Sequence, residues 1–253
     1  MLHVAADLDE VNRHWGDLSA AGMLGTVEVG GRTDVYFPHR VAGLDLTGEW
    51  EEIPDQDWHA RWRDGLTPVE AGRWVVTPSW QASGSDAELV IDPGQAFGTG
   101  HHETTSACLR ALDDLPLEGR RVLDLGTGTG ILAIAAARRG AHVLAVDVDP
   151  LAIAAASANA KRNGVSLDVR LGDIAVVGGA PFDVVVANLD SATLIDLAAD
   201  LAEVIAADGV LIVGGVGNER ATRVAGALHH AGWRVSITSG AEWSLLRGYR
   251  GTA

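Results

Sequence analysis

The chain has 253 residues, 47% of them hydrophobic and 21% charged, which is the composition of an ordinary globular protein with room for one large domain and a smaller one. Its formal net charge of -15 disfavours direct binding to bare nucleic acid, because an acidic surface repels the phosphate backbone, and favours a basic protein as partner. Cys108 is the single cysteine, which excludes an intrachain disulfide and a cysteine-based zinc site.

The chain shows no targeting or membrane-spanning pattern. Its first residues lack the basic start and long apolar core of a signal peptide, and no apolar run is long enough to span a bilayer. We therefore expect a cytoplasmic protein with no membrane association. No coiled-coil pattern or obvious apolar stripe demands a second copy, so a monomer is expected.

The N-terminal third of the chain predicts a small α+β module. Residues 2–6 predict a strand and residues 7–21 a helix, and two alternating segments around a Gly-Gly turn predict a hairpin. Trp58 and Trp62 lie four residues apart, which places both rings on one face of a short connecting helix. We therefore expect three parts, an N-terminal domain over 1–53, a helical linker over 54–66 and a main domain over 67–253.

Segments with strand-like and helix-like spacing alternate from Arg121 onward, which predicts an α/β fold. Near-continuous apolar strands such as 184–187 are typical of strands buried on both faces, and therefore of a parallel sheet. The last two strands are joined directly, and so short a connection requires an antiparallel edge strand. We expect a Rossmann-like sheet of seven strands at 121–125, 142–147, 166–171, 182–188, 209–214, 233–239 and 243–249, with helices at 130–139, 150–163, 191–206 and 218–231.

A glycine-rich stretch after the first of these strands indicates a nucleotide-type site. Gly126, Gly128 and Gly130 alternate with threonines before an apolar segment with helical spacing. Glycines leave no Cβ, so a ligand can lie against the backbone and face the free N–H groups of the helix that follows. The spacing is not the G-x-G-x-x-G dinucleotide fingerprint, and no Lys-Ser/Thr follows as in a phosphate-binding loop.

Acidic and amide side chains follow the neighbouring strands. Asp147 ends the second strand roughly 20 residues past the glycines, where a carboxylate can accept from both ribose hydroxyls of an adenosine. An adenosyl ligand without a pyrophosphate is implied, and S-adenosyl-L-methionine fits best. Asp173 is placed to accept a hydrogen bond from an adenine amine. The alternative is that Asp173 only stabilises a turn. Since ligands of such sheets bind at the carboxyl ends of strands, we expect one crevice to collect Asp124, Gly126, Gly128, Asp147, Asp173 and Asn188.

The segment before the first strand predicts a loop that folds over a bound ligand. Phe97, Gly98 and Thr99 lie among its glycines, and the loop leads into a helix capped near Thr104 or Thr105. The neighbouring His-His-Glu run does not favour a metal site, because adjacent residues cannot both point at one ion and the H-E-x-x-H spacing is absent. No metal is expected.

Several segments together resemble the ribosomal protein L11 methyltransferase family (PrmA type). The most specific is Asp-Pro-Gly-Gln-Ala-Phe-Gly-Thr-Gly-His-His-Glu-Thr-Thr at 92–105, and the others are 124–130, 146–150, 159–164 and 186–189. The resemblance is strong over roughly 85–250, and the N-terminal module is similar to the ferredoxin-like substrate-recognition domain of the family. It implies methylation of the α-amine and lysine side chains of a basic ribosomal protein, free or ribosome-bound, with S-adenosyl-L-methionine contacts at Thr105, Gly126, Asp147 and Asn188.

Asn188 is the predicted catalytic residue, because its side-chain oxygen or a neighbouring carbonyl can orient a neutral amine for in-line methyl transfer. Leu189-Asp190 follows it where many members of the family carry Ile-Leu, so an extra carboxylate could alter the choice of amine. A nucleobase methyltransferase is disfavoured, because such enzymes follow this asparagine with a stacking Pro-Pro-aromatic segment. A small-molecule or other protein-lysine methyltransferase and a non-catalytic adenosyl-binding protein are the remaining alternatives.

Overall fold

The computed structural model describes residues 2–6, 11, 18, 21–23, 25–29, 32–41, 50–52, 67–92 and 102–250. The chain divides into two compact units, Met1–Thr67 and Pro68–Ala253. The predicted helical linker over 54–66 lies outside the described residues, so the three-part division of the chain stays a prediction.

The first unit contains a four-stranded antiparallel sheet with strands β1 (Leu2–Ala6), β2 (Gly25–Val29), β3 (Arg32–Phe37) and β4 (Trp50–Glu52). Its order is β2-β3-β1-β4, which is the strand order of a ferredoxin-like sheet. Buried Val4, Val35 and Phe37 pack with Val11 and Leu18, which are helical. The predicted first strand and hairpin are thus observed, while most of the predicted helix lies outside the described residues.

The second unit is organised around a seven-stranded sheet. The strands are β8 (Arg121–Leu125), β9 (His142–Asp147), β10 (Asp168–Leu171), β11 (Phe182–Asn188), β12 (Ile205–Gly217), β13 (Arg234–Ser239) and β14 (Trp243–Tyr249). Their order is β10-β9-β8-β11-β12-β14-β13, and every pairing from β10 to β12 is parallel. β14 is antiparallel to both neighbours, which confirms the predicted antiparallel pair and places β13 at the edge itself.

Helices cover both faces of this sheet, as the apolar strands predict. They are α1 (Glu103–Asp113), α2 (Ile131–Arg138), α3 (Pro150–Arg162), α4 (Ser191–Asp196), α5 (Ala198–Val204) and α6 (Ala221–His230). Val184 and Val186 pack in one core with α1, α2 and α3, whereas Val185 and Ala187 pack in the other core with α4, α5 and α6. No helix among the residues that the structure describes is long and apolar enough to cross a membrane.

One predicted helix ends earlier than expected. The segment 191–206 forms α4 and α5, which meet at Leu197, and β12 already begins at Ile205. Ile205 is buried and pairs with Phe182 of β11. A β-branched side chain that packs into the sheet core favours the strand over another helical turn.

A small sheet precedes the seven-stranded one and was not predicted. It consists of β5 (Val69–Ala71), β6 (Trp74–Thr77) and β7 (Glu88–Val90), with an antiparallel and then a parallel pairing. Gly72 has φ +65° in the two-residue turn between β5 and β6. The Arg138 guanidinium of α2 lies 5.6 Å from the centre of the Trp74 ring and donates to the Glu88 carbonyl, so this sheet is anchored to the main domain.

Candidate functional site

A pocket of about 670 Å³ opens at the carboxyl ends of β8, β9, β10 and β11. This volume is in the usual range for small-molecule and cofactor sites. Thr105 lies beside the pocket through its contact with Asn188, while the predicted Phe97, Gly98 and Thr99 lie outside the described residues. The pocket brings together five of the predicted site residues, namely Gly126, Gly128, Asp147, Asp173 and Asn188.

The glycine loop, residues 126–130, lines this pocket with Gly126 and Gly128 and is hydrogen-bonded to β9. The Gly126 and Thr127 amides both donate to the Val146 carbonyl, at 2.8 Å and 3.0 Å. Gly126 has φ +75°, and a Cβ there would lie 2.2 Å from Cδ2 of Leu189. The loop therefore needs glycine at this position both for its backbone conformation and for the close approach of the neighbouring strand end.

Asp124 does not line the pocket, contrary to the prediction that it joins the crevice. Its side chain is 1% exposed and lies beneath the glycine loop, where Oδ2 accepts from the Thr127 hydroxyl at 2.6 Å and from the Ala133 amide at 3.1 Å. Burial raises the pKa of the Asp124 carboxyl to about 6, although the hydrogen bond from Thr127 acts in the opposite direction. Asp124 thus holds the loop to the start of α2 from inside the domain.

Asp147 presents its carboxylate to the pocket in a fixed orientation. Oδ2 accepts from the Gly128 amide at 2.8 Å, and Oδ1 accepts from the Asp149 amide at 3.0 Å. Because a carboxylate has about four acceptor sites, two more donors can still bind. The arrangement suits a pair of neighbouring hydroxyl groups.

Asp173 also lines the pocket, and its side chain has a local structural role as well. Its Oδ1 accepts from the Ala175 amide at 2.9 Å and caps the short 3₁₀ helix Ile174–Val176. Asp173 therefore does stabilise a local turn, which was the alternative role predicted from the sequence. The proposed contact with an adenine amine stays a prediction, since a second carboxylate oxygen is available for it.

Asn188 ends β11 and is held to α1. Its Nδ2 donates to the Thr105 hydroxyl at a distance of 3.4 Å, and Thr105 itself is 1% exposed. The Asn188 Oδ1 atom is buried and has no hydrogen-bond partner among the described residues. Since an unpaired buried acceptor is costly, an oxygen of this kind at a pocket wall indicates a ligand donor.

The comparison with known proteins agrees with this geometry. The family model described as Ribosomal protein L11 methyltransferase (PrmA) matches residues 37–250. The chain belongs to this family. The ribosomal protein L11 methyltransferase of Thermus thermophilus is 42% identical over 228 residues, 89% of each chain, and that of Deinococcus radiodurans is 39% identical over an alignment of 261 residues, 96% of each chain.

A solved structure supports the same relationship at the level of the fold. The crystal structure of ribosomal protein L11 methylase from Lactobacillus delbrueckii subsp. bulgaricus matches with a TM-score of 0.68 and 28% identity, over 74% of this chain and 100% of that one. The predicted α/β methyltransferase fold, the methyltransferase activity and S-adenosyl-L-methionine as cofactor are thereby confirmed.

The local departure from the PrmA pattern at Asp190 has a structural explanation. Asp190 caps α4, where it accepts from the Ala192 amide at 2.9 Å and from the Thr193 amide at 3.1 Å. The Thr193 hydroxyl also donates to it and, with these amides, lowers the pKa of the Asp190 carboxyl. The extra carboxylate is therefore the N-cap of α4, a helix that begins beside the pocket.

Two aromatic residues of this pocket were not predicted from the sequence. The rings of His102 and Trp243 meet edge to face with centres 4.9 Å apart, and both line the pocket. His102, not Thr104 or Thr105, is the N-cap of α1. The Glu103 carboxylate accepts from the Ala241 amide at 2.9 Å and so ties the β13–β14 turn to α1. No local pattern connects positions so far apart along the chain.

Proposed function

We propose that this protein transfers methyl groups from S-adenosyl-L-methionine to the α-amine and lysine side chains of ribosomal protein L11. Its relatives carry the name of that substrate, and the formal net charge of -15 suits a basic one. The observation that carries the proposal is the buried Asn188 oxygen, which has no hydrogen-bond partner in the described ranges, in a residue that lines the same pocket as Asp147 and the glycine loop.

The residues present fit the cofactor. Gly126 and Gly128 give a wall without side chains, against which the ligand can lie, and Asp147 keeps acceptor sites for the two ribose hydroxyls. Asp173 lines the same pocket, and we propose that its second carboxylate oxygen accepts a hydrogen bond from the adenine amine. When bound, S-adenosyl-L-methionine supplies an electrophilic methyl group on a sulfonium.

The protein's own contribution is mainly orientation and exclusion of water. A protonated lysine, with a reference pKa of about 10.4, has no lone pair, so the amine has to be neutral when it reacts. We propose that Asn188 Oδ1 accepts an N–H of that neutral amine and directs its lone pair towards the methyl group. Asp190 lines the same pocket, but its lowered pKa makes it a weak base, and we assign no dedicated general base.

The test is to incubate the purified chain with radiolabelled S-adenosyl-L-methionine and recombinant ribosomal protein L11, and to map the label by mass spectrometry. Asn188→Ala is expected to lose most of the activity and, because Asn188 is also a predicted cofactor contact, to raise the cofactor Kd measured by calorimetry by a smaller factor. Glu203→Gln, at an exposed position of α5, is the matched control. Full activity of Asn188→Ala would refute the role of Asn188. Cofactor binding without label on the protein would instead refute the substrate and favour a small molecule or another protein.

We further propose that the enzyme acts as a monomer in the cytoplasm, on L11 that is free or bound to the ribosome. No coiled-coil pattern in the sequence supports a stable second copy. Sedimentation at micromolar concentration tests the monomer. Comparison of the methylation rates of free L11 and of intact unmethylated ribosomes tests where the substrate is bound.

A further inference from the structure

Gly214 lies directly beside the proposed catalytic asparagine. It pairs with Asn188 in the register between β11 and β12. A Cβ built on Gly214 would lie 2.7 Å from Asn188 Oδ1 and 2.7 Å from Cys108 Sγ, whereas ordinary contacts of a Cβ begin near 3.4 Å. The space for a side chain at this position is therefore filled by the amide of Asn188 on one side and by the thiol of Cys108 on the other.

The backbone at Gly214 does not itself require glycine. The positive-φ glycines of the described residues include Gly215, with φ +76°, but not Gly214. Glycine in a strand interior costs backbone entropy and often marks the close approach of another group. Here that group is the side chain of Asn188, whose Oδ1 has no hydrogen-bond partner within the part of the chain that the structure describes.

We propose that Gly214 is a positioning residue for methyl transfer, because its missing side chain sets where the Asn188 amide oxygen sits. The inference rests on the proposed role of Asn188. Among the described residues, Nδ2 of Asn188 has the hydrogen bond of 3.4 Å to Thr105 and no other, so a methyl group at position 214 is expected to displace the amide by several tenths of an ångström. Displacements of about 1 Å in a reacting geometry can cost about a hundredfold in rate.

The experiment is a double-mutant cycle with steady-state kinetics on recombinant L11. Gly214→Ala is expected to lower kcat about tenfold, with the cofactor Kd and the KM for L11 changed less than about twofold. Alanine is conformationally allowed at position 214, so the variant tests the space alone. Gly226→Ala is the matched control, because a Cβ on Gly226 in α6 meets no heavy atom within 4 Å.

Two further variants keep the test decisive. In an Asn188→Ala background Gly214→Ala is expected to have no further effect on kcat, because the group that it displaces is gone. The double variant Gly214→Ala/Cys108→Ala is expected to have a higher kcat than Gly214→Ala alone, because the added methyl group can move into the space that the thiol occupied. If thermal denaturation shows that Gly214→Ala alone folds poorly, the double variant with Cys108→Ala replaces it in the kinetic comparison.

The outcomes separate the two proposals. Equal losses from Gly214→Ala with and without Asn188, or a loss explained wholly by weaker cofactor binding, would overturn the positioning role while leaving Asn188 in place. An unchanged kcat of Gly214→Ala would overturn it as well. Full activity of Asn188→Ala would remove the role of Asn188 itself, and with it the basis of the inference.

Discussion

Replacing Asp124 with asparagine is expected to remove a pH-dependent part of the stability of the fold. Asp124 is 1% exposed, and burial raises the pKa of its carboxyl from 3.8 to about 6. A carboxyl whose pKa is higher in the folded than in the unfolded state stabilises the fold when it is protonated. That stabilisation is complete below the unfolded pKa of 3.8 and is lost as the pH rises through about 6.

The size of this effect follows from the shift. An increase from 3.8 to about 6 corresponds to about 3 kcal/mol, at about 1.4 kcal/mol for each pKa unit. Asparagine keeps an acceptor oxygen for the Thr127 hydroxyl and the Ala133 amide, so the glycine loop can stay in place. Other carboxyl groups titrate in the same range, and the informative quantity is therefore the difference between wild type and variant.

The assay is urea unfolding of both proteins at about pH 4 and about pH 7.5. The free energy of unfolding of the wild type should fall by about 2 kcal/mol more than that of Asp124→Asn between these pH values, because at pH 4, just above the unfolded pKa, part of the stabilisation is already lost. Asp200→Asn, at an exposed position of α5, should behave like the wild type. If the free energy of unfolding depended on pH in the same way for wild type and Asp124→Asn, the raised pKa of the Asp124 carboxyl, and with it this account of the buried side chain, would be wrong.

Three further predictions concern the pocket and the core. Asp147→Ala should raise the cofactor Kd at least about tenfold by calorimetry, because hydrogen bonds to a charged group contribute about 1.5–3 kcal/mol each; an unchanged Kd would contradict the ribose contact. Gly130→Ala should lower the free energy of unfolding by about 1–3 kcal/mol, since φ is +84° and a Cβ would lie 3.0 Å from Ala156 Cα. Cys108 is fully buried and burial raises the pKa of its thiol to about 12, so it should react with a thiol reagent only as the protein unfolds, and rapid native labelling would contradict this.

Much of the main domain could be predicted because its signals are local. The apolar run 184–187 is buried on both faces, as its composition indicates, and the glycine loop lies between strand and helix as its spacing indicates. The direction of the Asp124 side chain could also have been found. Side chains alternate along a strand, so Asp124 shares the face of Val122, which packs in the core with α2.

Other features could not be found, because they depend on pairs that are distant in the sequence. The contact of Asn188 with Thr105 joins residues 83 positions apart, and the bond from the Ala241 amide to Glu103 joins residues 138 positions apart. The small sheet of β5, β6 and β7 has strands of three or four residues, too short for a clear alternating pattern. Such contacts follow from the packing of the whole domain and not from any single segment.

The position of Asn188 shows how these distant contacts combine in one side chain. Thr105 of α1 holds its nitrogen, and Gly214 of β12 leaves room for its oxygen. Asp190, two residues on, has three of its acceptor sites taken by donors from Ala192 and Thr193, so its carboxylate is poorly placed to select the amine. If Asn188 orients the amine as proposed, substitutions at position 214 should change the rate of methyl transfer more than substitutions of the Asp190 carboxylate that preserve the cap.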